Sequence, residues 1–166
     1  MAYGSIGQFE GQVEILEDIT VRNIAAYNNK YGAYIKTWTG VPQGTPPNGG
    51  GGGLGYLRNV TMSNFKVINA EQGFYITQCN SFSGFTGQCD TSEFEISDLS
   101  FHGVTGSLKT DVVASMQCSG KAPCRDISLR DISLGVAGAG QADRYLCSNV
   151  LDADGFTCNG KPPQSG

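Results

Sequence analysis

The sequence has few charged residues, a single histidine, a single tryptophan and no apolar run as long as a membrane span. Its formal net charge is −4, which argues against a nucleic-acid partner because such partners are bound by clustered lysine and arginine. Charged residues make up only 16% of the chain, whereas glycine occurs 24 times. This composition argues against helical bundles, coiled coils and disorder, and it favours a turn-rich β protein.

Six cysteines are present, but no Cys-x-x-Cys pair, and His102 is the only histidine. A zinc site needs closely spaced thiols or histidines, so we interpret the cysteines as disulfides and expect no metal or cofactor. Disulfides indicate an oxidising compartment, and we expect a secreted, extracellular protein without a membrane partner. Met1-Ala2-Tyr3 leads into polar sequence rather than a signal peptide, so we expect a piece of a longer protein.

One seven-residue pattern recurs in the chain: acid or amide, apolar, Thr or Ser, apolar, any residue, small polar, apolar. Its copies begin at Asp18, Asn59, Asp98 and Asp126. A second strand-like phrase follows the first two copies at a shared offset, as GAYIKT from Gly32 and GFYITQ from Gly73. Repeating β units of this kind are typical of a parallel β-helix, in which strands stack coil upon coil.

The apolar positions of the repeat should stack into a continuous core. They are Ile19, Val21, Val60, Met62, Leu99, Phe101, Ile127 and Leu129. An antiparallel sandwich would also give many short strands, but it does not explain a two-strand phrase at a constant offset. The pattern therefore favours the all-β parallel β-helix.

At these residues the chain resembles fungal glycoside hydrolase family 28, the pectin-degrading polygalacturonases and rhamnogalacturonases. Gly4-Ser-Ile-Gly-Gln8 resembles the segment after the family's Gly-His-Gly motif. Val21-Arg-Asn-Ile24 followed by GAYIKTW resembles the unit that carries its Arg-Ile-Lys motif. ITQC, CSGKAPC and the C-terminal cysteine loop resemble exo-acting members, of the exopolygalacturonase (galacturan 1,4-alpha-galacturonidase) or exo-rhamnogalacturonase type.

The resemblance implies a right-handed, single-stranded parallel β-helix of the pectin lyase-like kind. Residues 1–166 would be the C-terminal coils of one domain, with loop insertions at 39–55 and 79–93 and a disulfide-closed tail at 140–166. The implied reaction is inverting hydrolysis of galacturonan or rhamnogalacturonan, and the implied partner is a pectic polysaccharide or oligosaccharide. The full-length protein is expected to be a monomer.

In the family, aspartates in Asn-Thr-Asp and Asp-Asp motifs carry the reaction, and inverting enzymes hold their two carboxyls about 6.5–9.5 Å apart. This chain contains neither motif. We therefore expect no catalytic residue here and no activity from the chain alone. The alternative is a carbohydrate-binding or structural β-helix that never carried such carboxylates.

Lys36 matches the lysine of the Arg-Ile-Lys motif, and the resemblance implies that it meets a sugar carboxylate. Tyr34 stands where the family usually has arginine, so bidentate carboxylate binding is lost and an aromatic hydroxyl replaces it. This departure favours a rhamnose-containing backbone. Strand alternation places Trp38 on the same face, where it would extend the sugar-binding surface. The alternative is a solvated strand face with ordinary aromatic packing.

Six cysteines allow fifteen pairings. Because the coils of a solenoid contact only their neighbours, local loops close most easily. We therefore predict the disulfides Cys79–Cys89, Cys118–Cys124 and Cys147–Cys158. The only glycosylation sequon is Asn59-Val-Thr61, and Asn59 is a candidate glycan acceptor whose place at a repeat corner leaves its occupancy open.

Overall fold

A computed structural model describes residues 1–81 and 88–164. Residues 82–87 and 165–166, which fall within the predicted insertion 79–93 and the predicted tail 140–166, lie outside the described residues. Within the described ranges no helix could span a membrane. The strands are β1 (Ala2–Ile6), β2 (Val13–Tyr27), β3 (Tyr31–Trp38), β4 (Leu54–Ala70), β5 (Gln72–Asn80), β6 (Glu95–Leu108), β7 (Val112–Gln117), β8 (Cys124–Val136), β9 (Gly140–Gln141), β10 (Arg144–Ser148) and β11 (Val150–Asp154).

The strands form two sheets, and the chain alternates between them. Sheet 1 has the order β1-β3-β5-β7-β10, and sheet 2 has the order β2-β4-β6-β8-β11. Neighbouring strands in both sheets are parallel, except that the short β9 pairs with β8 in the antiparallel direction. Each coil therefore adds one parallel strand to each sheet, and the predicted parallel β-helix is confirmed.

The core consists of columns of inward side chains that run from coil to coil. One column is Ile19, Val60, Leu99 and Ile127, and the next is Val21, Met62, Phe101 and Leu129. The members from the second coil onward are at most 2% exposed. Burying such a side chain contributes roughly 1.5–3 kcal/mol, so the columns account for much of the stability.

The polar residue that opens each repeat occupies a sharp corner of the coil. Asp18, Asn59, Asp98 and Asp126 all have a left-handed backbone, with φ between 52° and 57°. Asparagine and aspartate tolerate this conformation better than other residues with a side chain, which explains the acid or amide in the pattern. At this corner Asn59 Nδ2 donates a hydrogen bond to Asp18 Oδ1 at 2.6 Å.

The glycines that open the second phrase permit close stacking of coils. Gly32 and Gly73 lie at the same position of neighbouring strands, between the register pairs Tyr31–Gln72 and Ala33–Phe74. A Cβ on Gly32 would lie 2.7 Å from the Gly73 carbonyl oxygen, closer than real Cβ atoms come. The glycine of the phrase is therefore a packing requirement.

Disulfides, and backbone hydrogen bonds in the first insertion, hold the irregular segments of the chain in place. The three predicted pairs, Cys79–Cys89, Cys118–Cys124 and Cys147–Cys158, are all formed. Gly51 N donates to Gln8 O at 2.9 Å and Gly53 N donates to Gly7 O at 3.1 Å, so the loop before β4 is tied to the segment after β1.

Candidate functional site

The outward face of sheet 1 is almost free of charge. One row across β3, β5, β7 and β10 consists of Tyr34, Tyr75, Ser115 and Leu146, and the next consists of Lys36, Thr77, Gln117 and Ser148. Tyr34, Tyr75, Lys36 and Ser148 are partly exposed, whereas the other four are at most 6% exposed. Lys36 is the only charged residue in these two rows. None of the five strands of sheet 1 contains aspartate or glutamate. The sheet therefore offers a positive point charge but no pair of carboxyls for hydrolysis.

Strand β3 separates core from surface as the alternation predicts. Ala33, Ile35 and Thr37 are at most 3% exposed, whereas Tyr34 and Lys36 are partly exposed on the other face. Lys36 Nζ lies 5.9 Å from the centroid of the Tyr34 ring, within the range of a cation–π contact. Among the described residues, Lys36 takes part in none of the ion pairs. Its ammonium is therefore held beside an aromatic face and stays available to an anion.

The predicted exposure of Trp38 is wrong. Trp38 is only 7% exposed, although Lys36 two residues earlier is partly exposed. The pairing register between β3 and β5 shifts between these two residues, so that Trp38 pairs with Asn80. Within the described part of the chain its indole Nε1 has no hydrogen-bond partner. Trp38 is thus buried at the end of β3 and does not add an exposed ring to the face.

Two tyrosines that sequence reasoning missed complete an aromatic cluster around Tyr34. We call Tyr31, Tyr34 and Tyr75 the tyrosine triad. The rings of Tyr31 and Tyr75 are stacked with centroids 4.3 Å apart, and Tyr34 lies 4.8 Å from Tyr31 and 5.5 Å from Tyr75. Tyr34 meets Tyr75 edge-on, at 76°. Each ring therefore contacts both others, which restricts all three to one arrangement.

The triad hydroxyls stay protonated at neutral pH. Burial, with smaller contributions from the neighbouring Tyr31 and Tyr75, raises the pKa of Tyr34 to about 12. Burial also raises the pKa of Tyr31 and of Tyr75, with the Glu71 carboxylate adding to the effect at Tyr31. Neutral phenols can donate and accept hydrogen bonds, which suits sugar hydroxyls.

A second concave region lies away from this face. It is a cleft of about 710 Å³ lined by residues that include Glu93, Glu95, Lys121 and Arg125. Lys121 is already paired with Glu93 at 2.8 Å. The cleft mixes both signs of charge and lacks an exposed aromatic ring, so the face around Lys36 is the better candidate for a sugar acid. In the described ranges no cluster of His, Cys, Asp or Glu could hold a metal ion.

The candidate glycan acceptor lies on the opposite side of the coil, in β4 of sheet 2. Asn59 is exposed, and its amide is bonded to Asp18 as described above. It is separate from the face around Lys36.

Comparison with known proteins places the chain in one family. The sequence model of Glycosyl hydrolases family 28 matches residues 1–158. An alpha-L-rhamnosidase of Aspergillus niger is 45% identical over 162 residues, covering 96% of this chain and 38% of that protein. A protein of Aspergillus niger with the provisional name galacturan 1,4-alpha-galacturonidase A is 36% identical, covering 96% and 40%. Exopolygalacturonase A of Aspergillus niger is 31% identical, covering 95% and 38%.

No solved structure matches the chain. The chain spans about two fifths of the length of the curated relatives it matches. Because the family match extends over nearly the whole sequence, the chain belongs to glycosyl hydrolases family 28.

Proposed function

We propose that the chain is the C-terminal portion of a secreted pectin-degrading glycoside hydrolase. The whole enzyme would cleave glycosidic bonds in galacturonan or rhamnogalacturonan with inversion, acting from the chain end. The observation that carries the proposal is Lys36, an ammonium beside the Tyr34 ring and the only charged group in the two rows described above. A uronic carboxylate is the pectic group that such a point charge would bind.

Tyr34 supports a backbone that contains rhamnose. A guanidinium would grip a carboxylate through two hydrogen bonds, whereas a phenol presents an aromatic edge and one hydroxyl. Among the relatives described above, the one at 45% identity is named as a rhamnosidase, which favours the same substrate. In this proposal Lys36 and Tyr34 contact the sugar directly, whereas Trp38, buried at the end of β3, does not.

The hydrolysing carboxyls would lie on coils that stack before β1 and β2. Three inward residues of β2 are partly exposed, although the residues beside them in β4 are at most 2% exposed. The pairs are Leu16 with Leu57, Ile19 with Val60, and Ile24 with Phe65. An open apolar end of this kind needs a further coil or cap. We therefore propose that the chain alone is inactive.

Secretion is supported by the three disulfides, which persist in oxidising compartments.

A second candidate function is a carbohydrate-binding β-helix without catalysis, which the absence of carboxylates on sheet 1 favours. A fusion of the chain to the catalytic coils of a family relative distinguishes the hydrolase from the non-catalytic binder. Hydrolysis that depends on Lys36 supports the enzyme, and tight binding without turnover supports the binder.

The binding part of the proposal is tested on the chain itself. Affinity electrophoresis in gels with pectic polysaccharide should show retardation that Lys36→Ala weakens about tenfold, the scale of one charge-assisted hydrogen bond. Lys66→Ala is the matched control, because Lys66 is an exposed lysine on sheet 2. Equal retardation of the wild-type chain and both variants would refute a role for Lys36. Sustained release of reducing sugar by the chain alone would refute its inactivity.

Tyr34→Arg tests the substrate preference. The variant restores the residue that the family usually has, so it should shift preference toward homogalacturonan through a bidentate contact with the carboxylate. Comparison of retardation by homogalacturonan and by rhamnogalacturonan measures the shift. An unchanged ratio would place the determinants of specificity elsewhere, for example in the loop at 39–55.

A further inference from the structure

The charges around the tyrosine triad are arranged unequally along β3. Lys30 Nζ lies 5.4 Å from the centroid of the Tyr31 ring. Glu71 acts on the same ring, since its carboxylate raises the pKa of Tyr31, and its backbone is bonded to Asn29 beside Lys30. The charges of the Lys30 and Glu71 side chains offset each other. At the other end Lys36 has no such acid beside it on sheet 1.

An aromatic surface without net charge is a poor place for a carboxylate. The faces of tyrosine rings carry negative electrostatic potential, so they attract cations and C–H groups and repel anions. The apolar C–H face of a neutral sugar would therefore pack well against the triad, and its hydroxyls could bond to the protonated phenols. A uronic acid would be better placed at Lys36, whose Nζ is 5.9 Å from the Tyr34 ring centroid.

We propose that the tyrosine triad is a binding surface for a neutral sugar next to the uronate held by Lys36, and that it thereby selects pectic chains in which acidic and neutral sugars alternate. This inference rests on the proposed function, because it requires that Lys36 binds a uronate. It assigns binding roles to Tyr31 and Tyr75.

Tyr75 acts as a positioning residue in this surface. It is the register partner of Tyr34 and the stacking partner of Tyr31, so its ring determines the orientation of both. Replacing it by alanine would remove that support, while Lys36 on the neighbouring row would remain. The expected consequence is a loss of selectivity for the neutral sugar with little change in carboxylate binding.

The experiment measures the dissociation constants of the 166-residue chain for two ligands of equal length. One is an oligogalacturonide, and the other is a rhamnogalacturonan oligosaccharide with alternating sugars. The wild-type chain should favour the second ligand about tenfold, in keeping with one or two aromatic contacts. Tyr75→Ala should bring the two constants within about twofold, by weakening the alternating ligand only. Tyr75→Phe, which keeps the ring, should preserve most of the preference.

Tyr27→Ala is the matched control, because Tyr27 is 59% exposed at the end of β2 and should leave both constants unchanged. If Tyr75→Ala does not fold, as judged by circular dichroism, Tyr31→Ala provides the same test. If binding requires Lys36 but neither Tyr75→Ala nor Tyr31→Ala changes the ratio of the two dissociation constants, only the inference about the triad is overturned. An equal loss with Tyr75→Phe and Tyr75→Ala overturns the positioning role. Absence of binding, or binding unaffected by Lys36→Ala, instead overturns the proposed function on which the inference rests.

Discussion

Two leucines in neighbouring coils test whether the inward side chains of β2 lack a covering coil. The main difference between the two sites is the number of coils packed against them. Leu16 in β2 and Leu57 in β4 are register partners in one inward column. Leu57 is 0% exposed because coils lie on both sides of it, whereas Leu16 is partly exposed because the described residues cover it on one side only. The same substitution at the two sites therefore compares a closed environment with an open one.

Truncating the closed site should cost much more than truncating the open one. Leu57→Ala leaves a cavity among packed neighbours and should lower the free energy of unfolding by about 2–5 kcal/mol. Leu16→Ala loses contacts on one side and leaves a site that water already reaches, so we expect a loss of about 1 kcal/mol. Urea unfolding of the chain, followed by far-ultraviolet circular dichroism, measures both values.

Joining further coils to the chain before β1 provides the decisive control. If a coil stacks on β2, Leu16 becomes enclosed, and Leu16→Ala should then cost as much as Leu57→Ala. Equal costs for the two variants in the 166-residue chain would refute the open end. Losses near zero at both sites would refute the stacked column itself.

Two further predictions concern titration and glycosylation. The raised pKa of Tyr34, about 12, means that the folded state keeps a proton that the unfolded state releases near pH 10. This contribution to stability is complete below about pH 10 and is lost as the pH rises toward about 12. Tyr34→Phe should flatten that alkaline loss in urea unfolding, and an unchanged pH dependence would contradict the assignment. We also propose that Asn59 carries a glycan after secretion from a eukaryotic host, since it is exposed and a substituted amide keeps one N–H for Asp18. Mass spectrometry should find the glycan on wild-type protein and not on Asn59→Gln, and an unmodified wild-type peptide would count against it.

The repeat made most of the fold predictable. An offset of 41 residues relates Asp18 to Asn59, and their hydrogen bond joins neighbouring coils. The same offset relates Tyr34 to Tyr75, so the larger part of the triad was already implied by the sequence. Tyr31 was harder to find because it is the first residue of β3, where alternation would place it with the inward Ala33 and Ile35, yet its side chain is partly exposed. The local disulfides followed from the same stacking rule.

The position of Trp38 was not predictable from alternation. The burial of a residue at the end of a strand depends on how segments distant in sequence pack around it. Trp38 is buried where alternation from Lys36 predicts a surface aromatic. The charge balance at the triad was hidden for a similar reason, because Glu71 comes next to Tyr31 only when the coils stack.

Binding of pectic sugar to the outward face of β3 can be tested directly by a map of ligand-induced chemical shift changes. Backbone amide resonances of the isotopically labelled chain would be recorded by nuclear magnetic resonance while a rhamnogalacturonan oligosaccharide is added. If the outward face of β3 binds the ligand, the largest changes will occur at Tyr34, Lys36 and Tyr75. Changes concentrated on sheet 2, for example at Arg58 and His102, or none at any ligand concentration, would contradict binding at this face.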